Sequence, residues 1–350
     1  MIRKINADVM KRNNRAEVVR LIRKEPHSRI KLAERTGLTR ASISFICEEL
    51  LKDGVIVEGE KEPSIGGRPA TALLLNSAFG VYGGVHITRV EYVVGVCDFA
   101  GEVKKQKRGK IEAGDPTASL ARIQKDLKEL LDGEKNLLGI GITAPGPLSK
   151  REGMLGEVPN FSAWNGLAIR DYFARAFDCV CVLDNYSNAL AYAECQKNPD
   201  CGMKYLELII DSGFGSAVAH VEGGIRLLEC ELGHTSVNML GKRCDCGNFG
   251  CAELYVNERT YLGKKREQAD FYAALASVLV NAVNTFGVDK AVFAGVVTGD
   301  FSRFSEKIAL ALKQRGKEGV QVLKTALIGK EVFVACNLLT QETGGDGTDE

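Results

Sequence analysis

The sequence predicts an α/β chain in two parts, a winged helix-turn-helix head followed by a larger body of two similar lobes. Three observations point there. A helix-turn-helix spacing, Ala33-x3-Gly37-x5-Ile43-x2-Ile46, lies near the N-terminus. An order of three strands and a helix occurs twice further on, over 83–131 and from 205 onward, as two related lobes with a cleft between them require. Charge also divides between the parts. Residues 1–57 hold 13 Lys/Arg against 7 Asp/Glu, and the chain totals of 46 and 45 leave the rest at −5. A basic head on an acidic body suits a head that meets a polyanion.

With 350 residues, 45% apolar and 26% charged, the chain has the composition of an ordinary globular protein of more than one folding unit. Collagen-like, disordered and coiled-coil classes are excluded. No apolar run reaches the roughly 20 residues of a membrane helix, and Met1 to Asp8 contains no apolar core of a secretory signal. A cytoplasmic protein is expected. Its 11 cysteines then read as reduced thiols with a metal site among them, rather than a disulfide framework.

In the head, Val18, Val19, Leu21 and Ile22 give residues 14–24 a helical apolar pattern that Glu25-Pro26 ends. Ser28 suits the N-cap of a short helix ending near Thr36, where Gly37 supplies the turn. Thr39 caps a third helix to about Lys52, with Ile43, Ile46 and Leu50 on its buried face. Residues 55–58 and 72–75 frame Gly66-Gly67-Arg68-Pro69 as a β-hairpin wing. Such a third helix enters the major groove, with Arg40, Ser42 and Ser44 toward bases and Thr39 near a phosphate. Arg68, at the wing tip, is placed to reach a minor groove.

The body predicts strands over 83–97 (two), 101–107, 137–143, 180–183, 205–211, 216–221 and 224–228. Helices are expected over 118–131, 166–177, 188–195 and 271–286. Ligands in such folds bind at the carboxyl ends of strands. The domain reading is a head over 1–75, a body over 76–340 and a frayed tail over 341–350.

One cluster stands out chemically. His234 precedes Cys244-Asp-Cys246-Gly-Asn-Phe-Gly-Cys251, with Glu231 before it and Glu253 just after. Three thiols and an imidazole make a tetrahedral Zn²⁺ set. Gly247 and Gly250 allow the tight turns that fold the three cysteines onto one ion. Four protein ligands leave no open position, so the expected zinc is structural, one per chain.

The pattern Glu231…His234…Cys244-x-Cys246-Gly-x-x-Gly-Cys251-x-Glu253 resembles the ROK family of repressors and sugar kinases. So do Gly141-Ile-Thr-Ala-Pro-Gly-Pro147, Val158-Pro-Asn160 and the segment from Asp184-Asn185-Tyr186 to Glu194. The likeness runs over nearly the whole chain and implies an actin-like ATPase (ribonuclease H-like) fold, a sugar in the cleft, and dimers or tetramers. Matched position by position, it implies that Asn160, Asn185, Glu231, His234 and Glu253 contact sugar hydroxyls. Carboxylates as acceptors and amides as donor–acceptors fit that task.

The family's kinases read Glu-Asn-Asp-x-Asn, the Asp deprotonating the attacking hydroxyl. Here that position is Tyr186, a neutral phenol at pH 7 and a poor base. His86-Ile-Thr88 replaces a phosphate loop that begins with an acid associated with Mg²⁺, and Asp211-Ser-Gly-Phe-Gly-Ser216 lacks the usual opening of the second loop. The expectation is therefore a transcription regulator, a repressor, that binds an operator in double-stranded DNA. A sugar or sugar derivative in a catalytically inactive cleft controls it. The rival is an active ATP-dependent sugar kinase bearing a DNA-binding head.

Overall fold

The computed structural model describes residues 7–61, 70–158, 161–197, 204–221 and 224–340. The expected wing tip Gly66-Gly67-Arg68-Pro69 and Asn160 lie outside them, as does the expected tail.

The head comprises α1 (Ala7–Lys24), β1 (His27–Ser28), α2 (Arg29–Thr36), α3 (Arg40–Lys52), β2 (Ile56–Lys61) and β3 (Thr71–Leu75). The three strands pair in the order β1-β3-β2, and β2 and β3 are antiparallel. Gly37 adopts φ 70°, and its N–H donates to the Ala33 carbonyl at 3.0 Å, ending α2. The Thr39 hydroxyl accepts from Ser42 N–H at 3.1 Å and starts α3. Ser28 stands at the N-cap of α2, but its side chain makes no capping bond. Val18, Ile22, Leu32, Ile43, Ile46, Cys47, Leu50 and Leu73 close a core between the helices and the sheet. Helix α1 begins seven residues before the expected start at Asn14. The added turns lie against the end of α3: Lys11 reaches Glu49 at 2.7 Å, and Arg15 just beyond reaches Asp53, the residue following α3, at 2.5 Å.

The first lobe consists of β4 (Val81–Ile87), β5 (Glu91–Asp98), β6 (Val103–Lys110), α4 (Pro116–Leu131), β7 (Leu137–Ala144), a small hairpin of β8 (Leu148–Ser149) and β9 (Met154–Leu155), α5 (Ile169–Phe177) and β10 (Cys181–Asn185). After α6 (Tyr186–Lys197), the second lobe follows as β11 (Lys204–Ile210), β12 (Phe214–Val221), β13 (Ile225–Glu229), α7 (Glu258–Tyr261), α8 (Lys265–Phe286), β14 (Lys290–Gly295), α9 (Phe301–Lys313) and β15 (Gln321–Lys324). The chain closes with α10 (Glu331–Asn337).

The two sheets have one topology. The first runs β10-β7-β4-β5-β6 and the second β13-β12-β11-β14-β15. In each, three strands pair antiparallel and two more add in parallel beside the first of them. The helices that link the lobes cross over: α6 leaves the first lobe and packs on β11 and β12, and α10 leaves the second and packs on β4, β5 and β7. Three glycines admit α10. Gly84 is the register partner of both Gly95 and Gly141. A Cβ on Gly141 would stand 1.7 Å from the Ala335 carbonyl oxygen, and one on Gly84 would stand 2.7 Å from that of Val332. Each lobe also keeps its own apolar core, around Ile123, Leu127, Ile140 and Trp164 in the first and Leu208, Phe271, Phe293 and Phe304 in the second.

The head sits on the first lobe. Arg23 at the end of α1 donates to the Phe99 carbonyl at 2.6 Å, and its guanidinium lies 4.9 Å from the centre of the Phe99 ring. Phe79 packs against Phe99 at 4.9 Å between ring centres.

Gly141→Ala should destabilise the body by about 3 kcal/mol or more, because the new methyl meets helix backbone and not a movable side chain. Gly114→Ala, with nothing near its added Cβ, should change stability by no more than about 0.5 kcal/mol. Denaturant unfolding of the two variants beside the parent checks the difference.

Candidate functional site

A cavity of about 690 Å³ opens between the lobes at the carboxyl ends of the central strands. The first lobe contributes His86 to Glu91 from the β4–β5 turn, Ala144 to Gly146 beyond β7, and Asn185 to Ser187 at the junction of β10 and α6. The second contributes Asp211 to Ser216, the β11–β12 turn and the start of β12, together with Glu231, His234, Glu253, Glu258 and Gly295. Thr325 and Glu331 border the cavity where the chain returns to α10.

Four of the five residues matched to hydroxyl contacts meet here. Asn185 ends β10, and its amide oxygen accepts from Asn188 N–H at 2.8 Å, capping α6. That leaves its NH₂ group for the cavity. Gly146 lies between Asn185 and Glu231, and a side chain there would come within 3.9 Å of each. Glu231 and His234 begin and end a single 3-10 turn. Enclosure by the cleft walls raises the Glu231 pKa; His234 works against this and Glu253 adds to it. Glu253 lines the same wall but also has a backbone partner: it accepts from Phe214 N–H at 3.0 Å and fastens the β11–β12 turn to the cysteine loop.

Two aromatic rings from the first lobe's side pack together in the cleft wall. His86 and Tyr186 stand 4.4 Å apart. His86 is buried, with Nδ1 2.8 Å from the Thr143 hydroxyl, and burial with nearby Arg108 lowers its pKa to about 4. The imidazole is therefore neutral at pH 7. Burial and the neighbouring Glu331 push the Tyr186 phenol well above its ordinary pKa near 10, so it keeps its proton. Asp211 lines the opposite wall, its Oδ1 taken by Val296 N–H at 3.0 Å.

A polar bridge joins the lobes at the cleft edge. Lys150, between β8 and β9, pairs with Asp184 at 2.9 Å and with Glu229 of β13. Asn188 donates to the same two carboxylates, at 3.0 and 3.3 Å. Sequence reading missed this bridge, along with Arg89 and Arg108, since its partners come from segments far apart in the chain. A readable hint for the second lobe's wall was Gly295-Val-Val-Thr-Gly299 after an apolar run, a turn pattern at a strand end.

The cysteine loop closes as its spacing implied. One ligand atom each from His234, Cys244, Cys246 and Cys251 lies within 4.8 Å of the others. Cys246 Sγ and Cys251 Sγ are 3.6 Å apart, and Cys244 Sγ and His234 Nδ1 are 3.7 Å apart. A tetrahedral ion with metal–sulfur bonds of about 2.3 Å has edges of about 3.8 Å, so the donor set fits a metal. Gly250, at φ 63°, lies so close under Asn238 that a Cβ would stand 1.7 Å from the Asn238 carbonyl oxygen. His234 joins the two sites: its Nδ1 faces the thiols while the residue lines the cavity.

On the head, Thr39, Arg40 and Ser42 are exposed at the start of α3 as expected, with the Thr39 and Ser42 hydroxyls 2.9 Å apart. Ser44 is half-buried, turned to the flank of the helix, and the side chain exposed beside it is Phe45. Among the described residues no helix is long and apolar enough to cross a membrane.

Two sheets of one topology with exchanged helices and a cleft between them define a sugar-kinase-like body of actin-like fold bearing a winged helix-turn-helix head. The sequence model of the ROK family matches residues 82–325, and the chain belongs to that family. Among relatives, a xylose repressor of Bacillus spizizenii is 28% identical over 73% of this chain and 68% of its own length. The DNA-binding transcriptional dual regulator NagC of Escherichia coli is 27% identical over 71% and 63%. In solved structures the fold is shared with a ROK family transcriptional regulator, a homolog of the E. coli MLC protein, at 22% identity and TM-score 0.77 over 95% of this chain and 96% of that one. It is shared also with a ROK family glucokinase from Streptomyces griseus, at 19% identity and TM-score 0.61 over 74% and 99%.

The buried His86 links stability to pH. An unfolded imidazole ionises near 6.5, whereas the folded one resists protonation down to about 4. Between these values the unfolded chain binds more protons, so stability present above pH 6.5 is lost as pH falls, by up to about 3 kcal/mol. His86→Gln should flatten that part of the pH dependence in denaturant unfolding between pH 7 and 4.5.

Proposed function

We propose that this protein is a DNA-binding transcription repressor governed by a sugar or sugar derivative, and that its kinase-like cleft does not transfer phosphate. One observation weighs most. At the N-terminus of α6, where the family's kinases hold their catalytic Asp, stands Tyr186, neutral and packed against a neutral His86. Neither group accepts a hydroxyl proton at pH 7 nor supplies an acid for Mg²⁺. The head supports the DNA role, and the relatives named xylose repressor and NagC support regulation by sugar metabolism.

Asn185, Glu231, His234 and Glu253, with Asn160, then bind hydroxyls. Glu231 accepts, the Asn185 NH₂ donates, and His234 offers its second ring nitrogen while the first serves the metal. The cysteine cluster holds one structural zinc, which fixes the loop that presents His234 and Glu253. A sugar that closes the cleft favours one lobe arrangement over another. Because the head is seated on the first lobe through Arg23 and Phe99, closure in a dimer or tetramer changes the spacing of paired heads against half-sites on DNA. The working division is 1–75 for the head, 76–340 for the effector body and a terminal tail.

Two measurements test this. Thermal shift over a panel of pentoses, hexoses, N-acetylhexosamines and their phosphates should find a stabilising ligand. Glu231→Ala should erase that shift and leave DNA affinity unchanged, and ATP turnover with the ligand should fall far below the roughly 1–100 per second of kinases. Turnover in that range would overturn the regulatory reading.

Metal analysis should give close to one zinc per chain. Cys246→Ser should lower both zinc content and the melting temperature of the body.

A further inference from the structure

The base-reading surface of α3 differs from the one its polar residues suggest. Ile43, Ile46, Cys47 and Leu50 face the core. The stripe diametrically opposite, at helical spacing, is Ala41, Phe45 and Glu48, all exposed. Phe45 is 56% exposed, a large ring facing water in the middle of the face that a helix-turn-helix inserts into the major groove. The ring is held in place. Lys11 of α1 lies 5.3 Å from its centre on one side, itself fixed by Glu49 at 2.7 Å.

We propose that Phe45 reads thymine in the operator, packing its ring against the C5-methyl group in the major groove. The proposal rests on the DNA-binding reading above. Of the atoms a base pair shows in the major groove, the thymine methyl is the apolar one, and a phenyl ring makes apolar contact with it. Charge on the head fits duplex DNA. Arg12, Arg35 and Arg40 are exposed and without ion-pair partners among the described residues. They suit the phosphates on either side of the groove. Glu48, one turn beyond Phe45, disfavours phosphate but can accept from a cytosine amino group, so the stripe as a whole suits base edges. Along the stripe from Ala41 to Glu48, Phe45 is the large apolar side chain that is exposed.

The test uses the full chain. A preferred duplex is first selected from a random pool, and each thymine in it is then replaced singly by deoxyuridine, which removes the methyl and nothing else. One thymine per half-site should then matter, its replacement weakening binding about 3- to 10-fold, the effect of burying one methyl group. Phe45→Ala should bind the parent duplex less tightly and lose the distinction between thymine and uracil there, and Phe45→Leu should keep part of it. Equal melting temperatures of the variants exclude unfolding. Three results overturn the proposal: no uracil substitution affects the parent protein, Phe45→Ala keeps the same sensitivity, or Phe45→Ala shifts the oligomeric state in sedimentation without altering base preference, which would make Phe45 a protein contact. If the parent protein selects no duplex at all, the DNA-binding reading fails as well, and the proposal with it.

Discussion

The close approach of α10 to the first sheet governs much of the body. Gly95, Gly84 and Gly141 stand side by side on three adjacent strands; the backbone of α10 rests where side chains at Gly84 and Gly141 would be, and the Val332 side chain of α10 where one at Gly95 would be. Any larger residue at the centre of that row would lift the helix off the sheet. The helix comes from the far end of the second lobe, so this contact, with the reciprocal packing of α6 on the second sheet, makes each lobe depend on a helix delivered by the other. The result is two separately cored halves joined by two crossing helices, an arrangement that can rock about its connections while each half stays packed.

The cleft inherits its walls from that crossing. Tyr186 opens α6 and Glu331 opens α10, so both crossing helices begin at the cavity and run away from it. Asn185 is fixed there because it must cap α6. The bridge of Lys150 and Asn188 to Asp184 and Glu229 then ties the lobes together at the cleft edge. Burial works against the Lys150 charge, but its two carboxylate partners hold its pKa above the usual lysine range. A charged bridge of this kind stays formed across the neutral pH range, and a bound ligand must work with it or against it.

His86 and Tyr186, packed against each other, show what burial does to proton exchange. Catalysis by a buried base needs a group whose pKa lies near the working pH. Here burial drives the imidazole down and the phenol up, so neither exchanges a proton at neutrality. The same burial makes the pair a rigid wall.

Much of this was legible in the chain itself. Local chemistry decided it: a left-handed turn at Gly37, a hydroxyl cap at Thr39, two glycines among three cysteines, an apolar period for each strand and helix. Such features act over a few residues, so their spacing suffices to place the helix-turn-helix, the cysteine–histidine cluster and the doubled strand order. The missed features all depend on contacts between distant segments. The first turns of α1 lack a continuous apolar face and meet the far end of α3 through ion pairs; Lys150 finds Glu229 only because the lobes face each other; β15 and α10 are short, and their pairing and packing come from neighbours distant in the chain. Ser44 and Phe45 make the same point within one helix. The sequence marks both as lying on α3, but only the angle at which α3 meets its core decides that the serine is turned aside and the phenyl ring is presented.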